Sequence, residues 1–203
     1  MRFGRAAERR NRMGRLIFVS GGAGSGKSAF GEAVLTSLGE EKRYYIATMR
    51  TGDDPENRKR AEKHRRKREG KGFITLEYET IPEDASFRPE DWVLLEDLSN
   101  LVSHVLFDDP DRVSGILNGN VDETGFVREV TAQLSRIEKQ AGGLVIVGND
   151  VFSDAMHYDA GTGCFLRVLC MLHRQIAEAA DTVVQVIAGI PVYRKGDRLC
   201  LKD

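Results

Sequence analysis

The segment "GGAGSGKS" constrains this chain more than any other stretch of its sequence. It fits the pattern G-x-x-x-x-G-K-S/T, directly after the apolar run "LIFVS" and directly before a helical pattern. In that context the glycines let backbone N–H groups close around a phosphate, and the helix N-terminus adds favourable partial charge. We expect Lys27 to reach the β- and γ-phosphates and the Ser28 hydroxyl to bind Mg²⁺. The predicted phosphate loop consists of Gly21, Gly22, Ala23, Gly24, Ser25, Gly26, Lys27 and Ser28.

Apolar runs bounded by turn residues recur along the chain and predict β-strands. Several are apolar throughout, as strands covered on both faces must be. Helical patterns lie between them, beginning at "SAFGEAVLTSLG", "FVREVTAQLSRIEKQ" and "FLRVLCMLHRQIAEAA". This alternation predicts an α/β fold with a mostly parallel sheet and helices on both faces. The predicted strands are Leu16–Ser20, Tyr44–Ala47, Phe73–Tyr78, Trp92–Glu96, Leu144–Gly148 and Thr182–Ala188.

Composition describes a single globular domain. The 203 residues are enough for one sizeable core, and 41% hydrophobic with 30% charged residues is ordinary for such a domain. We therefore expect a flexible Arg-rich leader over residues 1–14 and one domain over residues 15–203. Three cysteines without metal-ligand spacing favour a reducing cytoplasm, and no apolar stretch reaches the roughly 18 residues of a membrane span.

A strongly basic run lies between Arg58 and Lys71, with nine Lys or Arg against two Glu. Asp54 is a candidate N-cap with Pro55 at the first helical position, so the run is predicted to be a helix. On that helix Arg60, His64 and Arg68 share one face. The run alone is compatible with a nucleic-acid patch, a solvated helix face or the wall of a phosphate site. The net charge of −1 argues against a dedicated nucleic-acid binder.

A nucleotide site of this kind needs a carboxylate at the end of a neighbouring strand to help hold the metal ion. The sequence "DWVLLED" supplies Glu96 and Asp97 at such an end, and Asp150 follows "LVIVGN". Spacing does not decide among the three, and Glu96 is the favoured ligand.

With these motifs placed, the sequence resembles the bifunctional adenosylcobinamide kinase / adenosylcobinamide-phosphate guanylyltransferase family of cobalamin biosynthesis. The resemblance runs from about Leu16 to about Gly189 and covers nearly the whole chain. The phosphate loop alone is common to many enzymes, whereas the loop, "YIAT" and "HRRKR" in this order form a more specific set. The other segments that carry it are "TLE", "VLLEDLSNLVSHVLF" and "IAEAADTVVQVIAGIPV".

The resemblance implies phosphorylation of the aminopropanol hydroxyl of adenosylcobinamide, followed by transfer of GMP from GTP onto that phosphate with release of pyrophosphate. It implies His64 as the catalytic residue that carries GMP covalently. It also implies a RecA-like phosphate-loop domain, a homotrimer, and GTP, ATP and Mg²⁺ as ligands of the site. Besides the loop, the implied nucleotide-contacting residues are Ala47, Thr48, Met49, Arg65, Arg66, Lys67, Arg68, Glu77 and Glu96.

Several positions depart from the usual pattern of that family. Gly24 stands where many relatives carry Arg, and Gly148 and Phe152 stand in a segment that commonly reads Thr-Asn-Glu-Val-Gly. His173 and Arg174 occupy the place of an Asn-Gln pair in the last helix. These changes bear on the surface that faces the corrinoid more than on nucleotide chemistry. The isolated histidines, which are typically structural or surface residues, are His104, His157 and His173.

Two alternatives to the bifunctional enzyme stay open at this point. The first is a kinase of the same fold that has lost guanylyl transfer or changed its acceptor. The second, from another class, is a nucleic-acid-dependent ATPase whose basic helix follows a phosphate backbone, with affinity that falls steeply as salt rises.

Overall fold

The computed structural model describes residues 15–38, 42–50, 59, 62, 65–66, 69–152 and 158–201. Within them, seven strands form one sheet in the order β3-β2-β4-β5-β1-β6-β7, and only the β6–β7 pair is antiparallel. The predicted mostly parallel α/β fold is therefore confirmed. The strands are β1 (Arg15–Gly21), β2 (Arg43–Ala47), β3 (Phe73–Glu77), β4 (Trp92–Glu96), β5 (Gly143–Asn149), β6 (Thr182–Ile187) and β7 (Ile190–Lys195).

The helices of the described ranges connect and cover these strands. Four of them begin after an aspartate whose side chain accepts a backbone N–H of the first turn, which satisfies a donor that the helix leaves unpaired. These caps explain why two helices begin earlier than the apolar patterns predict. The helices are α1 (Lys27–Leu38), α2 (Leu98–Phe107), α3 (Pro110–Leu117), α4 (Glu123–Gln140) and α5 (Ala160–Ala179). None of these described helices combines the length and the apolar character needed to cross a lipid bilayer.

Two apolar cores lie on opposite faces of the sheet, as the strands without alternation predict. On one face α1 packs Val34 and Leu35 against strand residues that include Leu94 and Val145. On the other face α2, α4 and α5 share a larger core with β1, β4 and β5. The central strands are covered on both sides, whereas β3 at the sheet edge is partly exposed.

Only part of the basic run is described, and that part lies beside β3. Lys59, Glu62, Arg65 and Arg66 have helical backbone. Gly70 and Gly72 follow with positive φ angles of 79° and 71°, a conformation that ends a helix at low cost for glycine. The predicted leader over residues 1–14 and the predicted cap and first turn at Asp54 and Pro55 lie outside the described residues.

Candidate nucleotide site

The phosphate loop joins β1 to α1, as the sequence predicts. Gly24 and Gly26 have φ angles of 69° and 92°, which a residue with a Cβ rarely adopts. Gly21 is also required for space, because a Cβ there would lie 2.7 Å from the Val186 carbonyl oxygen. The Lys27 side chain is buried, and its Nζ donates to the Gly22 carbonyl oxygen at 3.2 Å. The lysine ammonium is therefore held by a backbone carbonyl of its own loop.

The carboxylates at the end of β4 differ in what they already bind. Asp97 accepts from the Asn100 backbone N–H at 2.8 Å, which caps α2, and from the Asn149 side-chain amide at 2.9 Å. Burial raises the pKa of the Asp97 carboxyl; the negative charge of Glu96 adds to the increase, and the positive charge of Lys27 opposes it. Glu96 accepts from the Tyr45 hydroxyl at 2.6 Å through Oε2. Asp97 thus accepts two hydrogen bonds and Glu96 one in these contacts, and the assignment of Glu96 and the Ser28 hydroxyl as metal ligands stays a prediction.

The third candidate carboxylate, Asp150, lies beside the base of the phosphate loop. Its backbone N–H donates to the Gly21 carbonyl oxygen at 3.0 Å, and its side chain accepts from Gln185 at 3.2 Å. All three carboxylates thus stand at the carboxyl ends of parallel strands, the edge at which open α/β sheets bind ligands.

Three residues that the resemblance assigns to nucleotide contact lie in one row across this edge. Ala47 pairs with Glu77 on one side and with Glu96 on the other. Thr48 follows, and it is buried: its backbone N–H donates to the Glu96 carbonyl oxygen and its hydroxyl to the Asp97 carbonyl oxygen. The Thr48 hydroxyl is therefore already used in a hydrogen bond within the protein. Met49, the next residue, is half-buried.

A cavity of about 590 Å³ lies at the outer edge of the sheet, between the basic run and β3. Arg65 crosses one wall and donates from Nε and Nη2 to Glu77 Oε1 at 2.9 and 2.5 Å. The volume suits a small-molecule ligand. The lining residues are Arg65, Glu69, Gly70, Gly72, Phe73, Thr75 and Glu77.

Three described cations of the basic run, Arg65, Arg66 and Lys71, pair with acidic groups. Arg66 pairs with Glu62 at 2.6 Å, and Lys71 pairs with the buried carboxylate of Glu32 on α1. These pairs reduce the free positive charge that a nucleic-acid backbone would meet. The predicted site residues His64, Lys67 and Arg68 lie outside the described residues.

Long-range side-chain contacts at this edge were not predicted from the sequence. Arg50 donates to Glu79 at 2.6 Å and to Asp108 at 2.8 Å, and His104 contacts Asp108 through Nδ1 at 3.1 Å. His104 Nε2 lies 2.9 Å from the Thr48 carbonyl oxygen, so the histidine has a structural role. Although Glu79, His104 and Asp108 come together as metal ligands would, the Arg50 guanidinium already pairs with both carboxylates.

Comparison with models of protein families identifies the family of this chain. The family model described as "Cobinamide kinase / cobinamide phosphate guanyltransferase" matches residues 17–193. The chain belongs to this cobinamide kinase / guanyltransferase family. The match includes the phosphate loop, the described part of the basic run and both terminal glutamates of β3 and β4.

Curated relatives agree with the family model over most of the chain. The bifunctional adenosylcobalamin biosynthesis protein CobU of Escherichia coli K12 is 29% identical over 187 residues, which cover 89% of this chain and 99% of the relative. The corresponding protein CobP of Pseudomonas aeruginosa is also 29% identical, over 89% of this chain and 98% of its own length.

Solved structures give more distant likenesses. A protein from Pyrococcus horikoshii OT3 covers 92% of this chain and 89% of its own length, with a TM-score of 0.47 and 9% identity. A solved ATPase domain covers 86% of this chain and 69% of its own length, with a TM-score of 0.41 and 13% identity. The fold of this family member rests on the topology described above.

Two departures from the usual family pattern contact one another. A Cβ at Gly148 would lie 2.8 Å from His173 Nε2, so the histidine fits only because position 148 has no side chain. The His173 ring packs edge-on against Phe18 and Phe152, at centroid distances of 5.0 and 5.1 Å. Burial lowers the pKa of His173 to about 4, and the negative charge of Asp150 opposes this shift. His157 lies outside the described residues.

Proposed function

We propose that this protein is a bifunctional enzyme of adenosylcobalamin biosynthesis. It phosphorylates the aminopropanol hydroxyl of adenosylcobinamide and then transfers GMP from GTP onto the new phosphate. The products are adenosylcobinamide-GDP and pyrophosphate. The proposal rests on the family membership, on the phosphate loop at the carboxyl edge of the sheet, and on a separate cavity along β3 that is lined by Arg65 and Glu77.

The kinase step uses the phosphate loop. Lys27 and the N-terminus of α1 bind the β- and γ-phosphates of ATP or GTP and stabilise the charge that develops as the γ-phosphoryl group leaves. The Ser28 hydroxyl and the Glu96 carboxylate are oxygen ligands, the type that Mg²⁺ prefers. Bound there, the ion would neutralise phosphate charge. The acceptor hydroxyl then takes the phosphoryl group, and its proton passes to a base.

Guanylyl transfer uses His64. A neutral imidazole nitrogen attacks the α-phosphorus of GTP, so that an N–P bond forms while the P–O bond to pyrophosphate breaks. A phosphate oxygen of adenosylcobinamide phosphate then attacks the same phosphorus, and the N–P bond breaks. Arg65 and Arg66, with Lys67 and Arg68, supply positive charge for the phosphate oxygens and the departing pyrophosphate.

The observation that carries the transfer step is the cavity wall formed by Arg65 and Glu77. Arg65 directly follows His64 in the sequence, and Glu77 ends β3 in the same row as Ala47 and Glu96. In the sheet order β3 lies four strands from β1, which at the usual strand spacing is about 19 Å. GTP for the transfer therefore occupies the β3–β2–β4 side of the edge, with Ala47, Thr48, Met49, Glu77 and Glu96 around it.

The direct test is incubation of the protein with adenosylcobinamide, GTP and Mg²⁺, followed by mass analysis of the corrinoid. We expect adenosylcobinamide phosphate to appear first and the GDP-linked product to follow. The His64→Ala variant should stop at the phosphate. If the native protein also stops there, the chain is a kinase that has lost the transfer step; if no phosphate forms, the proposed acceptor is wrong.

The homotrimer that the resemblance implies belongs to the same proposal. Sedimentation-velocity analysis of the native protein should give a mass near three times the 22.6 kDa of one chain. A purely monomeric species with full activity would contradict it.

A further inference from the structure

The turn that joins β6 to β7 exposes an unusual set of side chains. We call Ile187, Ala188, Gly189 and Ile190 the apolar turn. Ala188 and Gly189 have positive φ angles of 49° and 83°, the conformation for which two-residue hairpins usually select Asn-Gly or Asp-Gly. The two isoleucines pair across the ladder, so their side chains lie on one face of the hairpin. They are 49% and 65% exposed.

The apolar turn touches the phosphate loop. The Gly189 backbone N–H donates to the Ser25 carbonyl oxygen at 2.8 Å. A Cβ at Gly26 would lie 3.5 Å from the Gly189 Cα and 3.8 Å from Val186 Cγ1. The turn is therefore in direct contact with the phosphate loop. Its exposed isoleucines differ in this from a single apolar side chain elsewhere on the surface.

The sheet order sets the direction in which a nucleotide leaves the loop. Glu96 and Asp97 stand on β4, and the hairpin stands on the opposite side of β1. Glu96, the predicted metal ligand, therefore lies on the β4 side of the loop, away from the hairpin. The terminal phosphate and the acceptor must meet the metal ligand on that side. The nucleoside end of the same nucleotide then points toward β6 and β7.

We propose that the apolar turn is the surface against which the nucleoside of the kinase nucleotide packs. This inference rests on the proposed function, because it assumes that the loop binds a nucleoside triphosphate. The four residues carry no polar side-chain atom, so the contact is apolar and stabilises the ribose and base through burial. The turn makes no contribution to the phosphates themselves.

The test compares ligands with and without a nucleoside. Binding of ADP and of inorganic triphosphate, each with Mg²⁺, is measured by calorimetry for the native protein and for Ile187→Ser/Ile190→Ser. We expect the double variant to weaken ADP binding about tenfold, the effect of removing one to two buried methylene contacts, and to leave triphosphate binding within about twofold. The KM for ATP in the kinase step should rise by the same factor with little change in kcat.

Leu117→Ser is the matched control, because Leu117 is also 65% exposed and lies at the end of α3. It should change neither affinity. Unchanged ADP binding in the double variant would overturn the inference, as would an equal loss for triphosphate. A smaller sedimenting species in the double variant would instead assign the turn to a subunit contact. Failure of the proposed function is distinguishable, since Lys27→Ala would then leave both affinities unchanged.

Discussion

The phosphate loop and the cavity beside β3, the two sites to which we assign phosphate groups, are built by different means. The loop lies at the end of a central, buried strand, and its lysine is only 8% exposed. The cavity lies along an edge strand, where Phe73, Thr75 and Glu77 line it, and its Arg65 side chain is 51% exposed. One site is built from backbone and core, and the other from long side chains on the surface.

The difference teaches how one fold can hold two phosphate chemistries. Loop donors are fixed by β1 and α1 before a ligand arrives, so little reorganisation is required. Arginine donors on the surface lose side-chain entropy when they are ordered, and their pairing with Glu77 or Glu62 must change if a phosphate takes them. We therefore expect the two sites to respond separately to substitution.

The sharpest separation comes from Lys27→Ala and Arg65→Ala. Removing the loop lysine should lower the kinase kcat about a thousandfold, because a positioned positive charge on the β- and γ-phosphates is lost. Arg65→Ala should leave phosphorylation within about twofold and slow guanylyl transfer about tenfold to a hundredfold. Both rates are measured by chromatography of the corrinoid products. Equal effects of the two variants on phosphorylation would contradict the separation.

Stability should follow the same division. Leu94 is fully buried on β4 and would lie 3.1 Å from a Cβ at Gly31 of α1, whereas Ile74 on β3 is 39% exposed. Leu94→Ala should lower the free energy of unfolding by about 3 kcal/mol, and Ile74→Ala by less than about 1 kcal/mol. Urea denaturation of both variants checks this. Similar losses would show that β3 is covered by more structure than its exposure indicates.

A smaller, pH-dependent effect should come from His173. Its folded-state pKa of about 4 is below the ordinary 6.5, so the unfolded state binds the proton more tightly between these values. The stabilising contribution is present above pH 6.5 and is lost as the pH falls toward 4. Between pH 7 and pH 5 the native protein should lose about 2 kcal/mol relative to His173→Asn. Parallel pH profiles for the two proteins would contradict the burial of the ring.

Much of the fold could be predicted from the sequence because its central strands are apolar on both faces. The loop context placed β1 and α1 correctly. The strand β7 was missed because its half-exposed residues, with Pro191 among them, lack the continuous apolar run. The helix α2 was missed because its apolar residues follow β4 almost directly, and only the Asp97 cap separates the two elements.

Less of the candidate site than of the fold could be predicted from the sequence. Ala47, Glu77 and Glu96 were predicted as nucleotide contacts from a family resemblance and not from a local pattern. Their pairing across neighbouring strands explains why the three lie together. The contact between Tyr45 and Glu96 and the contact between Arg50 and Asp108 join residues more than fifty positions apart. No local pattern encodes such contacts, because they depend on how the strands are ordered in the sheet.

The central claim is that His64 carries GMP beside the Arg65–Glu77 cavity. It is tested most directly by incubating the protein with Mg²⁺ and GTP labelled at the α-phosphate, without corrinoid. We predict an acid-labile, base-stable label on the native protein and on Lys139→Ala, an exposed control on α4, and none on His64→Ala. Equal labelling of native protein and His64→Ala, or no labelling of either, would contradict the account.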